Sequence, residues 1–160
     1  MCQNCQSEDL MQHAINLSIE KMQAGFGGPF GAIIVKDGEI IAEGFNQVTS
    51  SNDPTAHAEV TAIREACKKL DTFDLNGCEI YTSCEPCPMC LSAIYWARLD
   101  KIYYANTRQD AADIGFDDDF LYREIPKPLE KRLIPCEQVG HEAGIRAFKL
   151  WQDKPDKIHY

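Results

Sequence analysis

The sequence predicts an α/β fold. Segments with apolar residues at three- to four-residue spacing alternate along the chain with short runs rich in β-branched residues, which is typical of helices that alternate with strands. The chain has 160 residues, 44% of them hydrophobic, which is the size of one domain with a full core. We therefore expect a single domain that spans residues 1–160.

The first part of the chain predicts a helix followed by a β-hairpin. Residues 9–23 place Ala14 and Leu17 near one helical face. Two strands are expected at residues 30–35 and 39–44, because both segments contain apolar and β-branched residues and a tight Lys-Asp-Gly turn joins them. The two strands of such a hairpin are antiparallel.

The rest of the chain alternates helices with strands and ends in a helix. The predicted helices span residues 57–70, 88–99, 107–114 and 142–151, and the predicted strands span residues 78–82 and 101–105. Pro126, Pro128 and Pro135 precede the last helix. Because proline lacks the backbone donor that helices and central strands need, we expect an irregular spacer in that stretch.

The charge of the chain argues against a nucleic-acid substrate. The formal net charge is −9, and residues 109–122 contain five aspartates but no lysine or arginine. Proteins that bind nucleic acid neutralise phosphates with lysine and arginine, usually on one face. Most of these aspartates are expected to form an ordinary solvated surface.

The cysteines and the N-terminal sequence predict a soluble, cytoplasmic protein. No basic start, apolar leader or membrane-length apolar run is present in the sequence. Without such a leader, eight cysteines with metal-like spacing are better interpreted as reduced thiols than as disulfides. Cys2 and Cys5 form a lone C-x-x-C pair, and we expect them to be thiols of a disordered terminus.

Two short motifs predict a catalytic zinc site. His57 and the pair Cys87 and Cys90 supply one imidazole and two thiolates, which fill three of the four positions of a tetrahedral zinc ion. The fourth position is left for water, so we expect one zinc per chain in a catalytic site. Glu59 lies two residues after the histidine, where we expect it to act as the acid–base group and not as a fourth ligand.

A closed structural zinc site is the alternative interpretation. Cys84 precedes Cys87 and Cys90 at the same spacing, so these three thiols and His57 can form a Cys3His site. Such a site explains neither Glu59 nor the glycine-rich segment upstream, and prolines interrupt the run. We therefore expect Cys84 to be a buried thiol.

Several segments resemble bacterial guanine deaminases of the cytidine deaminase-like superfamily. They are Gly-Gly-Pro-Phe-Gly-Ala at 27–32, Asn46, Asn-Asp-Pro-Thr-Ala-His-Ala-Glu-Val at 52–60, Thr-Ser-Cys-Glu-Pro-Cys-Pro-Met-Cys at 82–90 and Gly-Phe-Asp-Asp at 115–118. The zinc motif is shared with deaminases of cytosine, cytidine and tRNA adenosine. The resemblance to the guanine enzymes depends on the segment 115–118 and on a chain that ends in Tyr160.

The resemblance implies an α/β/α sandwich around a five-stranded mixed sheet. It also implies a homodimer in which a C-terminal segment, about residues 136–160, is exchanged between subunits and helps to close the partner's active site. The expected reaction is zinc-dependent hydrolysis of guanine to xanthine and ammonia, with no organic cofactor. The alternatives are the same chemistry on guanosine, cytosine or tRNA adenosine, and a zinc-stabilised binding domain without activity.

The resemblance also assigns roles to individual residues. Glu59 and Asp118 are expected to be catalytic, and the expected substrate-binding residues are Phe30, Asn46, Ala58, Trp96 and Tyr160. Four of these assignments have ordinary structural alternatives: Asn46 as a turn residue, Trp96 as a core residue, Asp118 as one of three adjacent surface acids, and Tyr160 as a frayed chain end.

Overall fold

The computed structural model describes residues 3–160, with side chains from Cys5 onward. The chain divides into two compact units, residues 1–118 and residues 119–160. In unit 1 the elements are α1 (Gln3–Gln23), β1 (Gly31–Lys36), β2 (Glu39–Phe45), α2 (Val48–Ser51), α3 (Ala58–Leu70), β3 (Cys78–Cys84), α4 (Pro88–Trp96), β4 (Lys101–Asn106) and α5 (Arg108–Asp113). Unit 2 contains α6 (Asp119–Glu124), a 3-10 helix (Leu129–Lys131) and α7 (His141–Asp153).

The sheet is mixed and has four strands within residues 3–160, in the order β2-β1-β3-β4. β1 is antiparallel to β2 and to β3, whereas β3 and β4 are parallel. The expectation of a fifth strand is wrong for these residues. The chain after β4 forms α5 in unit 1, and unit 2 contains only helices and irregular segments, where Pro126, Pro128 and Pro135 remove ladder donors.

Helices cover both faces of this sheet, because alternate residues of each strand point to opposite sides. On one face the strands pack against α1 through a cluster that contains Ala14, Leu17, Ile33, Val35 and Tyr81. On the other face they pack against α3 and α4 through a cluster that contains Ala32, Ile34, Ala58, Ala62, Ile80 and Ile94. Burial of each large apolar side chain contributes about 1.5–3 kcal/mol, so the two clusters fix both helix layers on the sheet.

A glycine lets α3 approach the sheet closely. A β-carbon at Gly44 would lie 2.2 Å from the carbonyl oxygen of Ala58 and 2.3 Å from the backbone nitrogen of Ala62. Any side chain at this position of β2 would therefore push away the first turn of α3. This turn begins directly after His57, so the contact sets the position of a predicted metal ligand.

The hairpin is confirmed, with Asp37 and Gly38 both at positive φ (51° and 80°), as a two-residue turn of this kind needs.

The predicted bounds of two helices are wrong. α1 begins at Gln3, so Cys5 lies in a helix and not in a disordered terminus, whereas Cys2 lies outside the described residues. α4 ends at Trp96, since Arg98 adopts a left-handed backbone (φ 58°) that a continuing helix does not allow.

The proline-containing spacer is more ordered than predicted. It holds α6 and a 3-10 helix, although Pro126 and Pro128 follow α6 and end it as proline is expected to do. None of the helices in residues 3–160 is both long and apolar enough to cross a bilayer.

Candidate active site

The three predicted metal ligands lie at the N-terminal ends of two helices. His57 is the N-cap residue of α3 and has an extended backbone (φ −70°, ψ 157°). Cys87 is the N-cap residue of α4, and Pro88 follows at the first helical position, where its fixed φ suits a helix. Cys90 lies in the first turn of α4. The partial positive charge at a helix N-terminus favours the thiolate forms of both cysteines.

The distances between these ligands suit a tetrahedral zinc ion. Nδ1 of His57 lies 3.5 Å from Sγ of Cys87 and 3.5 Å from Sγ of Cys90. All three ligand atoms lie within 4.8 Å of one another. With bonds of about 2.0 Å to nitrogen and about 2.3 Å to sulfur, tetrahedral zinc separates these two atoms by about 3.5 Å. The donor set and its spacing therefore fit zinc.

The pKa values of the two thiols are shifted in opposite directions. Hydrogen bonds with Cys90 and with His57 together lower the pKa of the Cys87 thiol to about 4, against the effect of burial. The hydrogen bond with Cys87 and burial raise the pKa of Cys90. The hydrogen bond with Cys87 raises the pKa of His57. A cation that binds here would displace the proton of Cys90, because only a thiolate is a good ligand.

Glu59 lies beside the ligands and is buried, with 5% of its surface exposed. Its Oε1 atom accepts a hydrogen bond from Oγ1 of Thr82 at 3.2 Å, and its carboxylate also accepts from Sγ of Cys90 and from its own backbone N–H. Burial raises the pKa of this carboxyl group toward neutral pH. A carboxyl group with a raised pKa takes up and releases a proton more readily near neutral pH. Within residues 3–160, the cluster able to hold a metal contains His57 and the two thiols without Glu59.

Cys84 stays outside this cluster. Its thiol is buried, as predicted, and donates a hydrogen bond of 3.6 Å to the carbonyl oxygen of Thr107. Burial raises its pKa to about 11, which disfavours the thiolate that a zinc ligand needs. The arrangement is that of a three-ligand site and gives no support to a closed Cys3His site.

The side chain of Asn46 is buried and held in one orientation. Its Oδ1 atom accepts hydrogen bonds from the backbone N–H groups of Gly28 (3.3 Å) and Val48 (3.2 Å). The bond to Val48 is the Asx-type contact of a turn residue, as the structural alternative for Asn46 predicts. The bond to Gly28 is an additional contact, with a residue 18 positions earlier in the chain. Because the oxygen is occupied, the NH2 group is the part of this side chain left to donate elsewhere.

Phe30 contacts Phe116, a residue that the sequence did not single out and that lies two residues before Asp118. The rings of Phe30 and Phe116 meet edge to face, with centroids 4.9 Å apart. Two residues later, partial burial raises the pKa of the Asp118 carboxyl, and the negative charge of Cys87 adds to this effect. Asp118 therefore lies close enough to the metal ligands to interact with them electrostatically.

The model of one protein family matches most of the chain. Residues 4–106 match the model of the cytidine and deoxycytidylate deaminase zinc-binding region, and this match includes His57, Glu59, Cys87 and Cys90. The chain belongs to this deaminase family.

The similarity to guanine deaminase of Bacillus subtilis extends along both chains. The two sequences are 57% identical over 153 residues, which is 96% of this chain and 98% of that protein. An X-ray structure of guanine deaminase from the same organism has a TM-score of 0.94 at 55% identity, and the match covers 100% of this chain and 99% of the other.

The tRNA-specific adenosine deaminase of Aquifex aeolicus is similar over a shorter length. It is 52% identical over 77 residues, which is 48% of this chain and 51% of that protein. The matched parts are therefore about half of each chain, whereas the similarity to guanine deaminase includes nearly all of both.

Three further residues are predicted to bind the substrate of this deaminase, namely Ala58, Trp96 and Tyr160. The methyl group of Ala58 is fully buried in the core, so the part of this residue able to face a substrate is its backbone at the start of α3. Trp96 is 67% exposed, which excludes the core role. It lies at the C-terminal end of α4, about 9 Å along the helix axis from Cys90. Tyr160 belongs to unit 2 and is exposed. Substrate contacts by these three residues stay predictions.

Proposed function

We propose that this chain is a zinc-dependent guanine deaminase, which converts guanine and water to xanthine and ammonia. The observation that carries the chemistry is the three-ligand cluster with a buried carboxylate beside it. The similarity to guanine deaminase over 96% of the chain supports the choice of base. In this proposal His57, Cys87 and Cys90 hold one zinc per subunit.

Glu59 moves the protons of the proposed reaction. When bound, zinc would act as a Lewis acid and lower the pKa of water at its open position to about 7. Glu59 takes a proton from the attacking water and passes it to the ring nitrogen next to the carbon that bears the amine. It then takes the proton of the newly added hydroxyl group and delivers it to the amine, so that the carbon–nitrogen bond breaks, ammonia leaves and the carbonyl of xanthine forms. One buried carboxylate serves as base and then as acid.

The neighbouring residues suit a purine that carries both donors and acceptors. With its oxygen already bonded, Asn46 presents its NH2 group to a carbonyl oxygen or an unprotonated ring nitrogen. Asp118 accepts from a ring N–H or assists proton transfer, and Phe30 together with Phe116 supplies aromatic contact to the ring. Ala58, Trp96 and Tyr160 complete the proposed substrate-binding set.

A tRNA substrate is the second candidate, since tRNA-specific adenosine deaminases match about half of the chain. The net charge of −9 opposes it, because binding of tRNA requires neutralisation of many phosphates. The free thiols at the zinc ligands also require a reducing compartment, so a cytoplasmic location is part of the proposal.

Ammonia release from a panel of substrates tests the proposed function. We expect rapid release from guanine, and rates at least about 10²-fold lower from guanosine, adenine, cytosine and an anticodon stem-loop, because polar groups built for one base are left unpaired by another. A higher rate with the stem-loop than with guanine would favour the tRNA alternative. A zinc-loaded protein that releases ammonia from none of them would reject deamination of these bases.

Unit 2 supports a homodimer with exchanged C-terminal segments, which we include in the proposal. None of residues 119–160 is buried. Its large exposed apolar side chains include Leu133, Ile134, Val139, Phe148, Leu150 and Ile158. A short segment that leaves these groups in water gains little stability by itself, so a second copy of the chain is the proposed cover. Exchange of residues from about 136 to 160 would place Tyr160 at the partner's site.

Removal of residues 156–160 is expected to lower guanine deamination by about tenfold or more, because the site loses the cover that excludes water. Zinc content and folding should stay close to those of the intact protein, since exposed chain ends contribute little to stability. Metal analysis, circular dichroism and ammonia release measure the three properties. A deletion without effect on activity would remove the tail from the site.

A mixing experiment then distinguishes exchange from closure by the chain's own tail. A tail-deleted chain and an intact chain with Glu59→Gln are refolded together, so that each single chain lacks one necessary part. In an exchanged dimer the intact tail covers the site with the working glutamate, and random mixing should restore about a quarter of the wild-type activity. No recovery, with mixed dimers verified by mass, would reject exchange.

A further inference from the structure

Thr82 carries a hydroxyl group in the buried interior of the sheet. It lies in β3 between Ala32 of β1 and Tyr104 of β4, and only 1% of its surface is exposed. It points to the same face of the sheet as Ile80, whose side chain packs in the cluster beneath α3 and α4. Burial of a hydroxyl group in such a place costs free energy unless the group is hydrogen-bonded.

The partner of this hydroxyl group is the carboxylate of Glu59. Oγ1 of Thr82 donates to Oε1 of Glu59 at 3.2 Å, across 23 residues of sequence. A β-branched residue in a strand has a stiff χ1 angle, so the hydroxyl group is held in place by the backbone of the sheet. The contact therefore links the orientation of a carboxylate on helix α3 to strand β3 of the sheet.

The hydroxyl group of Thr82 lies outside the metal-binding cluster. That cluster contains His57, Cys87 and Cys90. The hydrogen bond from Thr82 to the buried carboxylate of Glu59 therefore does not depend on a group that would bind the metal.

We infer that Thr82 is a positioning residue for deamination, which fixes the carboxylate of Glu59 in the orientation that proton transfer needs. The inference rests on the proposed role of Glu59. Proton transfer requires donor and acceptor within hydrogen-bond distance, so a carboxylate free to rotate spends less time in the productive orientation. Binding of the base does not require that orientation.

Replacement of Thr82 by valine and by serine separates positioning from packing. Thr82→Val keeps the β-branched shape and removes the hydroxyl group, whereas Thr82→Ser keeps the hydroxyl group and removes a methyl. We expect Thr82→Val to lower kcat by about tenfold, equivalent to about 1.4 kcal/mol in the barrier, with KM within about twofold of wild type. Thr82→Ser should stay within about threefold of wild type in kcat.

Two measurements besides turnover accompany the kinetics. Zinc content by metal analysis should stay near one per chain in both variants, and the affinity for xanthine by calorimetry should stay within about twofold of wild type. Unchanged kcat in Thr82→Val would overturn the inference. Loss of zinc in Thr82→Val, or an equal loss of kcat in both variants, would assign Thr82 a structural role and would also overturn it.

The same series distinguishes failure of this inference from failure of the proposed function. The kinetics are measured on the base that the wild-type protein turns over fastest. A wrong substrate would change that base but leave the contrast between valine and serine intact. A wrong role for Thr82 would abolish the contrast while wild type still deaminates guanine. A wild-type protein without any turnover would overturn both proposals.

Discussion

Replacement of Glu59 by glutamine should lower guanine deamination by at least about 10²-fold while the protein keeps its zinc. Glutamine has nearly the same size and keeps an oxygen that can accept the hydrogen bond of Thr82, so the local packing should survive. It cannot take up or release a proton at neutral pH. Ammonia release and metal analysis on the same preparation measure the two effects.

Glu65→Gln is the matched control for this prediction. Glu65 lies on the same helix, α3, but its side chain is exposed, so the same change of charge occurs away from the site. We expect its activity and zinc content to stay within about twofold of wild type. Activity of Glu59→Gln within a few-fold of the Glu65→Gln value would exclude Glu59 from the mechanism.

The metal-binding half of the site was predictable because its pattern is local. Cys87 and Cys90 are three residues apart at the start of a helix, and the predicted and observed helices both begin at Pro88. His57 and Glu59 are likewise separated by two residues at the start of α3. In each pair the short spacing and the helix geometry fix the arrangement, so no knowledge of the remaining fold is needed.

The neighbours of Glu59 were not predictable in the same way. The contact with Thr82 spans 23 residues and depends on how β3 packs beneath α3, which no local pattern records. Phe116 contacts Phe30 across 86 residues of sequence, and the sequence shows it only as part of the short segment 115–118. Non-local contacts follow from strand register and layer packing, and a single sequence constrains both only weakly.

The fifth strand was expected from the family resemblance, and no segment of this sequence was predicted to form it. The sequence pattern indicated four strands, and four are present within residues 3–160. The expected contact of Trp96 with the substrate stays a prediction, but its structural alternative, core packing, is wrong, because α4 ends at Trp96 and leaves this residue exposed. Helical periodicity predicts which side chains face the core within a helix, and it is a weaker guide at the last helical residue.

Replacement of Cys90 by serine should have the largest effect on the site, since it removes a ligand that zinc requires. A hydroxyl group is a much weaker zinc ligand than a thiolate, so we expect less than about a tenth of the wild-type zinc content and no measurable deamination. If zinc normally stands about 1,000-fold above its dissociation constant, its loss removes about 4 kcal/mol of stability. For a chain of this size that lowers the melting temperature by about 10 °C.

Cys84→Ser is the control that separates the two interpretations of the cysteine run. Its thiol is bonded to the carbonyl oxygen of Thr107, outside the three-ligand cluster, and a serine hydroxyl group can donate to the same oxygen. We therefore expect Cys84→Ser to keep about one zinc per chain and most of its activity. If Cys84→Ser loses zinc as completely as Cys90→Ser, the site is a closed Cys3His site. A fourth protein ligand would then occupy the position that a catalytic zinc keeps for water, and the proposed deamination would lose its chemical basis.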